Sequence, residues 1–200
     1  TYLAAGMVDR ARAEARRMLD ALAAERPVVG LEPSCLLTLR DEFRSLLPGR
    51  DSQALGARAF LLSEFLSEAK PALALRPLAE RAHVHGHCHQ KAFGAFPATL
   101  ALLRRVPELE VRPIASSCCG MAGAFGYQAE THAVSLAMAE RDLLPAVRAA
   151  PPEDIIIADG TSCRHQIRDL SNREPVHSVR VLERALGTSG RTQHGASSQR

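Results

Sequence analysis

The sequence predicts an α/β fold made of two related Rossmann-like units, with short parallel strands, flanking helices, and cysteines at the C-terminal strand ends. Three observations carry that expectation. Amphipathic stretches alternate with short β-branched runs, the grammar of parallel strands joined by crossover helices. The run "DIIIAD" is apolar through its centre, as a strand covered on both faces must be. The segments "RPVVGLEPSCLLTLRDE" and "EDIIIADGTSCRHQIRDL" share one order of parts: strand, short turn, Ser-Cys, then a helix carrying Arg-Asp.

The elements follow in order. Residues 7–25, rich in Ala and Arg, form an amphipathic helix that Pro27 ends. "PVVGLEP" is a short strand and residues 36–46 a helix. "LPGRDSQALG" reads as an exposed loop because Pro, Gly, Asp and Ser crowd it. Residues 57–67 form a helix whose apolar face is Phe60, Leu61, Phe65 and Leu66. "KPALALRPLAERA" leads to the strand "HVHGH", followed by a helix near residues 97–105 and the strand "ELEVRPI". Residues 130–149 form one long helix, "DIIIAD" a buried strand, and "SCRHQIRDL" starts another helix. "PVHS" and "VRVLERAL" close the fold, and residues 187–200, polar and small, form a disordered tail.

Composition narrows the function. Of 200 residues, 46% are hydrophobic and 24% charged, the balance of a globular chain. The net charge is only +3 and no basic groove interleaved with aromatics is present, so nucleic acid is not an expected partner. No apolar run approaches the roughly 20 residues of a spanning helix. The opening stretch lacks the charged start, apolar middle and cleavage site of a signal peptide, so a cytoplasmic, reducing setting is expected. There, five cysteines point to metal or redox chemistry more readily than to disulfides.

Four of the cysteines form a constellation: Cys88 in "HGHCHQK", the pair Cys118-Cys119 in "SSCCGMAGAFGY", and Cys163 in "DGTSC". Adjacent cysteines rarely bond to each other, because so small a ring is strained. Each of the four positions follows an expected strand, and parallel strands end along one edge where ligands collect. Four thiolates complete the ligand set of a tetrahedral zinc or an iron–sulfur cluster, and the spacing alone does not choose between them. Gly120, with Gly123 and Gly126, lets backbone amides approach the sulfurs.

His83, His85, His87 and His89 alternate, so an extended segment would carry all four on one face and Cys88 on the other. Beside thiolates their expected work is hydrogen bonding to sulfur or tuning of redox potential. His87 and His89, the neighbours of Cys88, are favoured over His83 and His85. His165, two residues past Cys163, is either a supporting group of this kind or an exposed helical residue; His132 and His177 are read as structural. No pair of carboxylates suggests acid–base catalysis.

The duplication also bears on organisation. Cys119 and Cys163 are separated by 43 residues, and a similar interval counted back from Cys35 falls ahead of Thr1. Residues 1–70 are therefore expected to be the C-terminal part of a first unit whose own Cys-Cys-Gly lies upstream, and residues 71–186 a complete second unit. Cys35 is the corresponding metal-ligand candidate of the incomplete unit.

At "EPSCLLTLRDE", "HGHCHQKA", "SSCCGMAGAFGY" and "ADGTSCRHQI" the chain resembles the cysteine-rich CCG domain of iron–sulfur oxidoreductases. That family includes the CCG-bearing component of heterodisulfide reductase and the iron–sulfur components of glycolate oxidase and anaerobic glycerol-3-phosphate dehydrogenase. The strongest likeness is to the C-terminal region of FAD-linked D-2-hydroxyacid (D-lactate-type) dehydrogenases. The family pattern is a lone cysteine, Cys-Cys-Gly, then Cys-x-x-Cys. Cys88, Cys118, Cys119 and Cys163 match its first, second, third and last cysteines, and Cys35 matches the last cysteine of the preceding unit. The penultimate position falls on Gly160, which cannot ligate.

The resemblance implies a [4Fe-4S] electron-transfer domain that relays electrons from FAD, held elsewhere in the parent enzyme, to an acceptor. The fragment itself is not expected to turn over substrate. Its implied partners are flavin-binding and ferredoxin-like domains of the same polypeptide or complex, with a membrane quinone or electron carrier as acceptor and a peripheral position at the inner face of the membrane. The alternatives are a structural zinc module that docks the same enzyme, and cluster-assisted thiol/disulfide chemistry, against which the missing thiol at Gly160 argues.

Overall fold

The fold is described over residues 2–187 of a computed structural model; past Gly187, the tail expected from the sequence lies outside the described residues. Helix α1 (Val8–Ala21) turns Ala11 and Ala15 inward, and β1 (Val28–Gly30) follows. The helix expected over 36–46 is two short ones, α2 (Pro33–Leu37) and α3 (Glu42–Leu46), because the backbone leaves helical space at Asp41, φ −118° and ψ −85°. Both turn leucines and Phe43 into one small core.

Two further expectations are overturned here. "LPGRDSQALG" is largely helix α4 (Arg50–Ala57), whose Ser52, Leu55 and Gly56 are buried. The start of the helix expected over 57–67 is instead a strand, β2 (Ala59–Leu61), and the helix begins afterwards as α5 (Leu62–Ala69). Phe60 and Leu61 therefore belong to a parallel ladder with Val29 and Gly30, which supplies the otherwise open edge of β1.

Residues 81–186 build a three-stranded parallel sheet. β3 (Arg81–His85) is followed by α6 (Cys88–Ala92) and α7 (Phe96–Leu103), then β4 (Glu110–Pro113). The chain returns through a single 3-10 turn (Phe125–Tyr127), α8 (Ala129–Arg141) and α9 (Leu143–Ala149) to β5 (Ile155–Ala158). The one long helix expected over 130–149 breaks at Asp142. Pro145 has no N–H, and in a continuous helix its ring would meet the carbonyl of Arg141, so it sits in the first turn of a new helix instead.

α10 (Thr161–Ser171) and α11 (Ser178–Leu186) complete the unit. The strand order is β4-β3-β5, all parallel. Ile157 packs with α7 and α11, whereas Ile156 and Ala158 pack with α9 and α10, so helices cover both faces. That two-sided burial is why β5 is uniformly apolar. Order reverses at β3, so the carboxyl ends of β3 and its neighbours flank the position where this architecture collects ligands.

The duplicated grammar reappears in the geometry. β1 runs into the helix holding Cys35, pairs in parallel with β2, and β2 leads into α5. β5 runs into the helix holding Cys163, bridges in parallel to Val176, and Val176 leads into α11. The two parts also touch at a polar seam. The Thr161 N–H and hydroxyl each donate to Glu32 at 2.8 Å, and Ser34 donates to the same carboxylate at 2.8 Å.

Burial raises the Glu32 carboxyl, but these bonds outweigh it and hold its pKa below the ordinary 4.5. A lowered folded-state value gives stability that is present above 4.5 and lost as pH falls through the folded value. Glu32→Gln should therefore cost about 1 kcal/mol near neutrality, after allowance for solvent screening. The gap between the two proteins in urea titrations should stay constant down to about pH 5 and close in more acidic buffer.

Candidate metal centre

The site is assembled at the C-terminal ends of the three strands. β3 ends at His85, and His87 caps α6: its Nδ1 accepts from the His89 N–H at 3.1 Å, while the Gln90 side chain accepts from the His87 N–H at 2.9 Å. This reciprocal pair fixes Cys88 in the first turn of α6. The Gln90 amide also donates to Asp159 at 2.9 Å, and Asp159 accepts from the Ser178 N–H at 3.0 Å. The exits of β3 and β5 are thereby tied together by buried groups whose polar atoms satisfy one another.

The cysteine pair sits in the loop after β4. The Lys91 ammonium donates to the Ser116 and Ser117 carbonyls, which pins the approach to Cys118. Burial lowers the Lys91 pKa against the pull of the surrounding sulfurs. Gly120 has φ +89° and its N–H donates to Cys118 Sγ at 3.4 Å. Cys163 lies in the first turn of α10 and, like Cys119, is buried; Cys88 and Cys118 are half-buried.

The four sulfurs form a chain that runs from Cys88 through Cys118 and Cys119 to Cys163, and they polarise one another in alternation. Cys118 is drawn well below its ordinary value, first by Cys119, then by Cys88, against burial and with help from the Gly120 amide. Cys163 is also held low, chiefly by Cys119. Cys88 is pushed up by Cys118 and by burial, and Cys119 by Cys118 and Cys163.

The histidines are arranged otherwise than expected. The extended segment stops at His85, so no row of four shares one face and Cys88 is helical. His83 bonds Asp154 at 2.8 Å, His87 is a helix cap whose Nδ1 also lies 3.8 Å from Cys88 Sγ, and His89 stacks edge-on to His87 at 5.3 Å between ring centroids. His85, ranked below His87 and His89 from the sequence, is the one whose ring joins Cys119 and Cys163: one ligand atom from each lies within 4.8 Å of the others, all three buried. Rank by distance along the chain from Cys88 missed it; the position of His85 as the last residue of a buried strand was the usable signal.

The other candidates are spread more widely. His165 is on the exposed face of α10, and Cys35 is exposed in α2. His132 meets the Gly126 carbonyl at 3.3 Å, and His177 caps α11 through the Val179 N–H at 3.0 Å. Lys91 and Gln90 carry no signal of a role in the sequence; only the fold brings them to the site.

The donor set fits a thiophilic metal. Four sulfurs and an unpartnered imidazole nitrogen converge, and no carboxylate joins the buried group among the described residues, which suits iron or zinc and not a hard cation.

Residues 82–168 match the family model of the CCG cysteine-rich domain, which bears out the resemblance read from the cysteine motifs. Among curated relatives, a component of the anaerobic glycerol-3-phosphate dehydrogenase of Escherichia coli (strain K12) is 29% identical over 195 residues, covering 92% of this chain and 48% of that protein. The D-2-hydroxyglutarate dehydrogenase of the same strain is 29% identical over 161 residues, covering 78% of this chain and 15% of that protein. Its counterpart from Haemophilus influenzae is 26% identical over 172 residues, covering 80% and 16%. The chain thus spans about half the length of the first relative and a small part of the others. No solved structure matches it.

Proposed function

We propose that the chain is an iron–sulfur electron-transfer domain of a flavin-dependent dehydrogenase acting on a 2-hydroxyacid or a related alcohol. A [4Fe-4S] cluster would be held by Cys88, Cys118, Cys119 and Cys163. The observation that carries this reading is the convergence of four sulfurs from three strand ends at one sheet edge. The dehydrogenase names of the relatives support it. When bound, such a cluster accepts single electrons and so links a two-electron flavin to its acceptor.

The chain's own residues bind and shield. Met121 and Ile167 pack around Cys119 and Cys163 and keep water from the inner sulfurs, while half-buried Cys88 and Cys118 face outward, toward an electron partner. The Lys91 ammonium and the Gly120 N–H place positive charge beside the sulfurs. Residues 1–70 are read as the C-terminal part of a first unit and residues 71–186 as the complete one. The electron source is a flavin domain and the acceptor a quinone or soluble carrier. Among the described residues no helix is long and apolar enough to cross a membrane.

Anaerobic reconstitution with ferrous iron and sulfide tests this reading. About four iron and four sulfide per chain are expected, with sulfur-to-iron charge-transfer absorbance that bleaches on reduction. One zinc and no iron, from cells and after reconstitution, would overturn it in favour of a structural zinc module.

A further inference from the structure

His85 is buried to 1% exposure in a site already rich in sulfur. Its Nδ1 lies 2.8 Å from the Ser116 hydroxyl. Its Nε2 is buried and makes no hydrogen bond of ordinary geometry, while the ring lies beside the Cys163 sulfur and helps to hold its pKa low. A buried ring nitrogen without a hydrogen bond costs about 1–3 kcal/mol, a cost that a metal bound at this nitrogen would offset.

The geometry points to His85 Nε2 as a metal ligand in addition to the four sulfurs, placed beside Cys119 and Cys163 at the buried end of the sulfur chain. This deepens the iron–sulfur reading and rests on it. Three arguments converge. Metal–nitrogen and metal–sulfur bonds of about 2.0 and 2.3 Å at a tetrahedral angle put the donors about 3.5–4 Å apart. One ligand atom from each of the three residues lies within 4.8 Å of the others, a spacing that neighbouring bonds at one metal centre can reach with small adjustments.

The second argument is the tautomer. In the tautomer with Nδ1–H donating to the Ser116 hydroxyl, 2.8 Å away, the lone pair lies on Nε2, and a ligating histidine is held in this way by a partner on its other nitrogen. Ser116 is in turn fixed, because its carbonyl accepts from Lys91. The third is selectivity within the histidine cluster. His87 Nδ1 is already engaged as a helix cap, and the buried Nδ1 of His89 is not part of the grouping with Cys119 and Cys163.

A neutral imidazole as the fifth ligand, where the family pattern has a fifth cysteine at the position of Gly160, leaves the centre less negative than a fifth thiolate would, so it favours the reduced state. His85 would thus set the potential of the relay as well as bind it.

Pulsed EPR on the reduced, reconstituted chain carrying 15N-labelled histidine reads the ligand directly. A strong histidine nitrogen coupling is expected, lost in His85→Gln and kept in His87→Gln and His89→Gln. A cluster with full iron and no such coupling, or a coupling that survives in His85→Gln or disappears in either other variant, overturns the assignment while leaving the iron–sulfur reading intact. If His85→Gln does not fold, the wild-type coupling and its retention in the other two variants decide. Should the chain take zinc and no iron, the iron–sulfur reading fails separately. The zinc absorption edge then decides the ligand: one nitrogen at about 2.0–2.1 Å with imidazole scattering supports His85, and four sulfurs overturn it.

Discussion

Gly120→Ala should cost about 3 kcal/mol or more and abolish metal loading, although it adds a single methyl group beside the cysteine pair. Two independent penalties combine. At φ +89° a Cβ strains the backbone, and an ideal Cβ at this position lies 2.2 Å from the Ser135 carbonyl oxygen. That oxygen belongs to α8 and cannot swing aside as a side chain would, so the loop carrying Cys118 and Cys119 must move. Displacing it also withdraws the Gly120 N–H from Cys118 Sγ. Gly123 is the control: its φ is +66°, but nothing lies within 4 Å of its Cβ position, so Gly123→Ala should cost only about 1 kcal/mol. Chemical denaturation of both variants checks this, and equal losses would refute the close-approach argument.

The contrast between these glycines marks what was readable in the sequence. The α/β class, the parallel strands and the strand-end cysteines follow from local signals, because a two-sided buried strand must be apolar and a strand-to-helix turn must lie at the sheet edge. The missed elements are those decided by partners distant in sequence. Residues 59–61 become strand because β1 offers an edge, and the apolar pattern of a short segment does not tell such a strand from a helix turn. α4 replaces an expected loop because burial of Leu55 and Ser52 outweighs the breaker residues around them. Pro145, by contrast, carried a local signal of the break at Asp142 that the length of the apolar pattern obscured.

The candidate site divides along the same line. The cysteines could be grouped from the sequence because thiophilic chemistry is restricted to a few residue types. The histidines could not be ranked, because chain proximity to Cys88 says nothing about direction once the strand ends. Burial at a strand terminus selects His85, whereas His87, nearer to Cys88, is a helix cap.

That cap accounts for the one departure from the family's cysteine pattern. Gly160 has an ordinary backbone, φ −73° and ψ 130°, so glycine is not required there by conformation. It is required by His87: an ideal Cβ at Gly160 lies 2.3 Å from His87 Cδ2 and 3.2 Å from Cys163 Sγ. The ring cannot rotate away without giving up its bond to the His89 N–H, so the two positions are coupled sterically. Gly160→Cys alone should therefore cost about 2–3 kcal/mol, and His87→Ala alone about 1 kcal/mol from the lost cap. The double variant should be at least about 1 kcal/mol more stable than the sum of the two losses predicts, because removing the imidazole opens the space the new thiol needs. It would also carry the complete Cys, Cys-Cys-Gly, Cys-x-x-Cys set, and its iron content after anaerobic reconstitution should reach or exceed that of the wild-type chain, whereas Gly160→Cys alone falls below it. Additive losses in a double-mutant cycle would show that His87 is not what keeps a side chain out of position 160, and the departure at Gly160 would then have no steric cause.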